Sequence, residues 1–270
     1  MKNSPVKDFL LSHAIDILAL THAYPTGLTH KDKLRSLLRK LSPILPGKKL
    51  IRLGPEGDGG YLVPDDLAGI EACFSPGVNV TSGFDKDCAN LGMKVFLADN
   101  SVDGPPESHS LFHFTKKYVG VTTSDNFMTL DDWVASSLPG SQADLMLQLD
   151  IEGYEYETFL SISDGLMRRF RIIVAEFHAL DQLWNRPCFW LTSRTFEKIL
   201  QTHTCVHIHP NNYCSPLNKF GVQIPPLAEF TFVRNDRVCS PSYASVFPHS
   251  LDRDNTDKPH FPLPECWYGK

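Results

Sequence analysis

The sequence predicts an open α/β domain, with a mostly parallel sheet covered by helices on both faces and a helical extension at its N-terminus. Three observations carry this expectation. From Lys49 onward, short apolar runs alternate with segments of helical periodicity, the pattern of strands joined by crossover helices. The runs at 145–149 and 171–175 are almost continuously apolar, as strands buried on both faces are. A chain of 270 residues that is 42% hydrophobic can bury one large core of this kind.

The elements follow in order. Val6, Phe9, Leu10, Ala14, Ile17 and Leu18 fall on one helical stripe. Leu34, Leu37, Leu38 and Leu41 fall on another, with Thr29 as its expected cap. Pro43 and Pro46-Gly47 stop the second helix, so residues 1–48 form the extension. The main domain is expected over 49–238. Strands are expected at 49–53, 61–63 and 71–75, the first two joined by the turn-rich stretch Gly54 to Gly60. Ser82 is placed to cap a helix running to Asn90, with Gly92 as its terminator. A strand at 94–98 ends in Asp99, and 118–121 reads as another. Thr129 caps a helix over 131–138 that Pro139-Gly140 ends. The strand at 145–149 delivers Asp150, and that at 171–175 ends near Glu176. A helix over 189–201 and strands at 205–209 and 229–233 close the domain. The tail 239–270, rich in Pro, Asp and His, is expected to be mostly irregular and packed on the domain.

Composition excludes several classes. The net charge is −5 and no Lys/Arg block occurs, whereas nucleic-acid binding needs clustered cations. The basic stretch Lys31 to Lys40 reads as the solvated face of a helix. No apolar run is long enough to span a bilayer, and no signal peptide is evident at the N-terminus. The seven cysteines are scattered and contain no C-x-x-C; they read as reduced thiols, and the expected location is cytoplasmic, with no membrane partner.

In a parallel sheet the crossovers collect the carboxyl ends of the strands on one edge, where ligands bind. The residues just after the strands are therefore the candidates: Ser75 and Gly77, Asp99 and Asn100, Asp150 and Glu152, Glu176 and His178, and further on His207 and His209. An acid such as Asp99 at the end of the second strand accepts hydrogen bonds from a ribose diol, against the plainer reading of a turn aspartate. The loop 75–85 is not G-x-G-x-x-G. It lacks the phosphate cradle of a dinucleotide site, and so favours S-adenosylmethionine over NAD. Asp150, Glu152 and Glu155 place three acids within one turn. Such arrays bind a metal, position an acceptor or move protons. Glu155 alone reads as a helix-start acid favoured by the dipole. Asp150, Glu176 and His178 are the candidate ligands of a divalent cation, Mg or Mn, and His178 could instead act as a base. Cys205, His207 and His209 are expected on one strand face, with His209 toward the acceptor and His207 partly buried. Trp184, Phe189, Trp190 and Tyr213 could stack on a sugar but read first as core.

Arg52-x-Gly54 with Asp58-Gly59-Gly60-Tyr61, the strand and loop at 74–85, and Leu149-Asp150-Ile151-Glu152-Gly153-x-Glu155 together resemble the FkbM-type methyltransferases over residues 50–235. The resemblance implies a Rossmann-like class I methyltransferase fold with a seven-stranded sheet. It also implies an O-methyltransferase using S-adenosylmethionine, with a sugar or glycan hydroxyl as acceptor. Asp58, Gly59, Gly60, Tyr61, Ser75, Gly77, Asp99 and Asn100 would then surround the cofactor. Asp150 and Glu152 would stand at the active site, and His178 and His209 are added as catalytic candidates from their strand positions. Pro76 and Asn79 depart from the usual glycine-rich loop. The competing readings are a metal-dependent nucleotide-sugar glycosyltransferase, which takes Asp150-Ile151-Glu152 as its metal–diphosphate acids, and a non-catalytic module on the same fold.

Overall fold

The structure, a computed structural model, describes residues 13–18, 20, 25–78, 80–239 and 242–269. Val6, Phe9 and Leu10 of the first expected stripe lie outside these residues. Residues 13–18 are helical, but Ile17 and Leu18 are exposed rather than packed on the core.

Helix α1 (Lys31–Lys40) buries Leu34, Leu37 and Leu38. Its cap is His30, whose imidazole accepts from Asp32 N, not Thr29. Thr29 is instead tied through its backbone N–H to Trp184 O at 2.8 Å. The hairpin β1 (Leu50–Leu53) and β2 (Tyr61–Pro64) follows. Then come β3 (Ala72–Pro76), α2 (Gly83–Asn90), β4 (Lys94–Ala98) and β5 (Phe112–Thr115). Ser82 stands at the N-cap of α2, yet its side chain makes no capping bond. The short β6 (Tyr118–Val119) and β7 (Phe127–Met128) pair only with each other, so the expected strand at 118–121 is not part of the main sheet. Helix α3 (Leu130–Ser137) is capped by Thr129, which accepts from Asp132 N.

Next are β8 (Leu145–Leu149), α4 (Glu155–Ser161), α5 (Asp164–Met167) and β9 (Phe170–Phe177). A 3-10 turn at Leu180–Trp184 leads into α6 (Arg186–Leu200). The domain closes with β10 (His203–Pro210), the hairpin β11 (Leu217–Lys219) and β12 (Val222–Ile224), and β13 (Ala228–Arg234).

The main sheet has seven strands in the order β10-β13-β9-β8-β3-β4-β5. All pairs from β9 to β5 are parallel, and β13 runs antiparallel to both its neighbours. In crossover order the parallel part reads 3-2-1-4-5, the order of a Rossmann half and its continuation. The mostly parallel Rossmann-like sheet expected from the sequence is what the chain forms. Period-two alternation divides the core between the two faces. Phe74, Phe96, Leu147, Leu149 and Ile173 pack on one side with α1, α3, α4 and α6, while Cys73, Val95, Leu97, Met146 and Ile172 pack on the other with α2 and the β1–β2 hairpin.

At the far edge a bulge between Cys205 and His207 shifts the register of β10 by one residue. A one-residue slip flips every later side chain. Cys205 and Ile208 therefore join the same core cluster, opposite Phe232 and Phe230, whereas His207 and His209 lie opposite Thr231 and Glu229. The expectation that Cys205 shares a face with the two histidines is corrected accordingly.

Candidate active site

The carboxyl edge of the sheet holds a cavity of about 490 Å³ lined by Gly77, Val78, Asp99, Ser101, Tyr118, Phe127, Asp150, Glu152 and Tyr154, among others. Two loops shape it. After β3 the chain turns at Gly77, whose φ of +90° only glycine adopts freely. A Cβ there would lie 2.9 Å from the carbonyl carbon of Asp150 and closer still to its oxygen. The backbones after β3 and β8 thus touch at this glycine, and the cavity opens beside the contact. After β4, the Asp99 carboxylate accepts from Val78 N at 3.1 Å, and from Ser101 N and Oγ at 2.6 Å each. One acid therefore ties the glycine loop to the end of the second strand. A carboxylate has about four acceptor sites, so capacity remains for a ligand hydroxyl.

Tyr118 and Phe127, with ring centroids 5.4 Å apart, form an apolar part of the same lining. Sequence reasoning missed both, because β6 and β7 are two-residue strands without periodicity. A second, much smaller chamber of about 30 Å³ adjoins at Gly77 and Asp150 and is lined by Asp58, Gly59, Tyr61, Ser75, Thr81, Asp85 and Gln148. In it Ser75 Oγ donates to Gln148 Oε1 at 2.8 Å, and Gln148 Nε2 donates to Tyr61 OH at 3.3 Å. Burial pushes the Asp85 carboxyl up to about 6, partly offset by its hydrogen bond to Ser75.

Of the expected cofactor residues, Asp58, Gly59, Tyr61, Ser75, Gly77 and Asp99 line one of these two spaces. Asn100 and Gly60 line neither. Gly60 is buried in the loop itself, where a Cβ would sit 2.5 Å from Arg52 Nη2 and closer to Pro55 O. Arg52 holds that loop by donating to Pro55 O and Gly57 O, each at 2.7 Å.

The acids after β8 converge on His178, the residue just past β9. His178 Nε2 lies 3.9 Å from Asp150 Oδ1 and 3.4 Å from Glu152 Oε2, and Nδ1 lies 3.2 Å from Glu155 Oε1. Glu155 is completely buried. Its Oε1 accepts from Ile151 N and Gly153 N at 3.0 Å each. It opens α4, as the helix-start reading expected, and it is in addition the anchor of the turn and the neighbour of His178. That turn contains Glu152 at φ +57° and Gly153 at φ +103°. The left-handed Glu152 aims an exposed carboxylate back at His178. Burial raises the Asp150 carboxyl to about 6; His178 opposes the rise, and Glu155 and Glu152 add to it. Burial alone would lower the His178 pKa, but Glu155, Asp150 and Glu152 outweigh it and the net direction is up.

A row of buried acids continues along the edge. Glu176 stands opposite Glu229, and Glu229 opposite His209, in adjacent strands. Burial, with the charge of Asp150 and then Glu229, raises Glu176 well above the usual carboxylate range. Burial raises Glu229 to about 7 against the charge of His209. His209 is only 5% exposed and lines neither space. It faces Asp252 of the tail at 3.7 Å, so the expectation that it faces an acceptor is corrected. The tail supplies residues that the sequence reading left out. Asn255 Nδ2 donates to Glu229 Oε1 at 2.6 Å and to Asp58 Oδ1 at 3.2 Å. Asp252 Oδ1 accepts from His207 Nε2 at 2.8 Å, and Arg253 pairs with Glu56. Of the aromatic candidates, Trp184 and Phe189 are core, while Trp190 and Tyr213 are exposed and line neither space. Among the described residues no helix is long and apolar enough to cross a membrane.

No family model and no curated protein matches this chain. Solved structures similar to it include the N-methyltransferase NodS from Bradyrhizobium japonicum, at 10% identity over 76% of this chain and 96% of NodS, with a TM-score of 0.34. An rRNA methylase from Streptococcus thermophilus is similar at 7% identity over 74% of this chain and 93% of its own, TM-score 0.33. A Streptococcus mutans protein named as a methyltransferase and solved with SAH aligns at 10% identity over 62% and 90% of the two chains, TM-score 0.32. Likenesses this loose add no functional argument to the strand order and the site geometry already described.

Proposed function

We propose that the chain is a methyltransferase that uses S-adenosylmethionine and transfers the methyl group to a hydroxyl, a sugar hydroxyl being the acceptor the FkbM resemblance implies. The observation that carries the reading is the continuity of the 490 Å³ cavity from Asp99 to Asp150 past Gly77. A diol-binding acid stands at the end of the second strand. A tight glycine turn without a phosphate cradle sits in the middle, and the carboxylates of Asp150 and Glu152 stand at the far end, with His178 behind them and outside the lining. A nucleoside whose other substituent carries no phosphate fits that order of groups.

Chemically, the sulfonium supplies the electrophile. The hydroxyl oxygen forms the new bond to the methyl carbon as the carbon–sulfur bond breaks, and the hydroxyl proton leaves to a group on the acidic edge. Holding the reacting atoms in line contributes about 7–11 kcal/mol, and a positioned proton acceptor roughly 10²–10⁴-fold more. The carboxylates of Asp150 and Glu152, which line the cavity, are that acceptor.

Calorimetric titration with S-adenosylhomocysteine and with UDP tests this. The expected result is binding of the former alone. Asp99→Ala should weaken it by about 10- to 100-fold, the worth of roughly 1.5–3 kcal/mol for hydrogen bonds to a charged group. Binding of UDP with no response to S-adenosylhomocysteine would replace the reading with a glycosyltransferase. Failure of both ligands would leave a non-catalytic module.

A further inference from the structure

We propose that Asp150, Glu176 and His178 bind one divalent cation, with Glu155 orienting the imidazole toward it. Parallel pairing of β8 and β9, with Leu149 opposite Ala175, brings residues 150, 176 and 178 to the same edge. Each of the three offers a ligand atom, and these atoms all lie within 4.8 Å of one another. The set is two carboxylates and one imidazole. Hard oxygen donors with one nitrogen suit Mn or Mg.

Three further observations single this cluster out from ordinary surface acids. Asp150 Oδ1 is enclosed and has no hydrogen-bond partner among the described residues. Glu176 is 5% exposed, and Asn211 Nδ2 donates to its Oε1 at 2.7 Å, which fixes the carboxylate. Among the described residues, no lysine or arginine pairs with Asp150 or Glu176; the basic group near Asp150 is His178 itself, at 3.9 Å. A buried acid beside a second one that is mostly enclosed requires protons or a cation.

The second part of the inference concerns Glu155. Metal-bound histidines donate their other ring N–H to a carboxylate or carbonyl, which fixes tautomer and ring orientation. Glu155 is placed for that task. It is wholly buried, its Oε1 is pinned by two backbone N–H groups, and it lies 3.2 Å from His178 Nδ1, a contact off-line for a hydrogen bond until the ring turns onto a cation. A proton on Nδ1 leaves the Nε2 lone pair directed at the acids. Asp150 lines the main cavity, so a cation here would border the space where an acceptor sits. When bound, the cation would acidify an acceptor hydroxyl. Glu152, exposed and outside the ligand set, would remain as a free carboxylate beside it.

The test is titration of the full chain with Mn²⁺, followed by the loss of the free-ion electron paramagnetic resonance signal and by thermal shift, with and without S-adenosylhomocysteine. The expected result is one Mn²⁺ per chain in both conditions. Glu176→Gln and His178→Ala should abolish binding, and Glu155→Gln should weaken it about 10- to 100-fold without abolishing it. Melting curves without metal show that each variant is folded; Glu176→Gln keeps the shape and the acceptor for Asn211 Nδ2 and should melt no lower than the parent. Absence of stoichiometric Mn²⁺ binding to the parent chain would overturn the proposal, as would unchanged affinity in both Glu176→Gln and His178→Ala. Competition between Mn²⁺ and S-adenosylhomocysteine would also overturn it, since the acids would then hold the cofactor's ammonium group. Because both ligands are measured, loss of the cation site leaves the methyl-transfer reading standing, and the reverse holds too.

Discussion

Gly77→Ala should unfold at a markedly lower urea concentration than the parent chain and should not bind S-adenosylhomocysteine. Two costs add. The φ of +90° is a region that a Cβ disfavours, worth about 1–2 kcal/mol. The new Cβ would also sit 2.9 Å from the Asp150 carbonyl carbon and nearer its oxygen. That neighbour is backbone and cannot rotate aside. β3 and β8 are paired parallel strands on either side of it, so relief requires one strand end to move. Overpacking of this kind costs about 1–3 kcal/mol, and more where the backbone must shift. The ligand edge is defined by the same contact, so the displaced strand end takes the cavity with it. Gly92→Ala isolates the second cost. Gly92 has the same φ of +90°, but nothing lies within 4 Å of its would-be Cβ. If the two variants have equal urea midpoints, the approach of the two strand ends is not the constraint described here.

The fold was legible because its central strands are buried on both faces. Leu145–Leu149 and Phe170–Phe177 are buried throughout, and such strands announce themselves as apolar runs. β5 was not read, because Phe112–Thr115 is an edge strand of four residues, none of them buried, with His113 inside it. α4 and α5 have seven and four residues, too short for the helical period to repeat convincingly. At the site, Asp99, Gly77, Asp150 and His178 could be named because strand ends are predictable from strand positions. Glu155 could be placed at a helix start, but its contact with His178 could not be foreseen. Its partner is 23 positions away in sequence and meets it only through the β8–β9 crossover. The tail residues Asp252 and Asn255 were invisible for a different reason. They act from irregular chain, where no periodicity marks which side chain points inward, and the histidine partners of Asp252 lie on β10 beyond a bulge that sequence does not show.

The largest effect away from the cavity should come from Asp252→Ala. Its carboxylate is 5% exposed and sits against two buried imidazoles, His207 at 2.8 Å and His209 at 3.7 Å, while Oδ2 accepts from His249 N at 2.8 Å. Burial alone would raise its pKa, but the hydrogen bonds and charges of the two histidines outweigh burial and hold it well below the usual carboxylate range. Removing one member of a buried charged set leaves the others unpaired and costs about 3–5 kcal/mol. The dependence on pH has a definite sign. A depressed carboxyl contributes stability that is present above its unfolded pKa, about 4, and lost as pH falls toward the folded value. The net shift of His209 is upward, because Asp252 and Glu229 outweigh the burial that would lower it. A raised imidazole contributes stability that is present below its unfolded pKa, about 6.5, and lost as pH rises through the folded value. The difference in unfolding free energy between parent and Asp252→Ala should therefore be greatest between about pH 4 and 6.5 and should shrink on both sides. Urea unfolding at a series of pH values measures it, and a difference constant from pH 4 to 9 would remove the ionic account of the contact between Asp252 and the two histidines. The consequence reaches the cavity through the chain that follows. Arg253 and Asn255 hold Glu56 and Asp58 of the loop beside the small chamber. A tail released at Asp252 thus frees that loop, and amide exchange over residues 54–60 should quicken together with exchange in the tail.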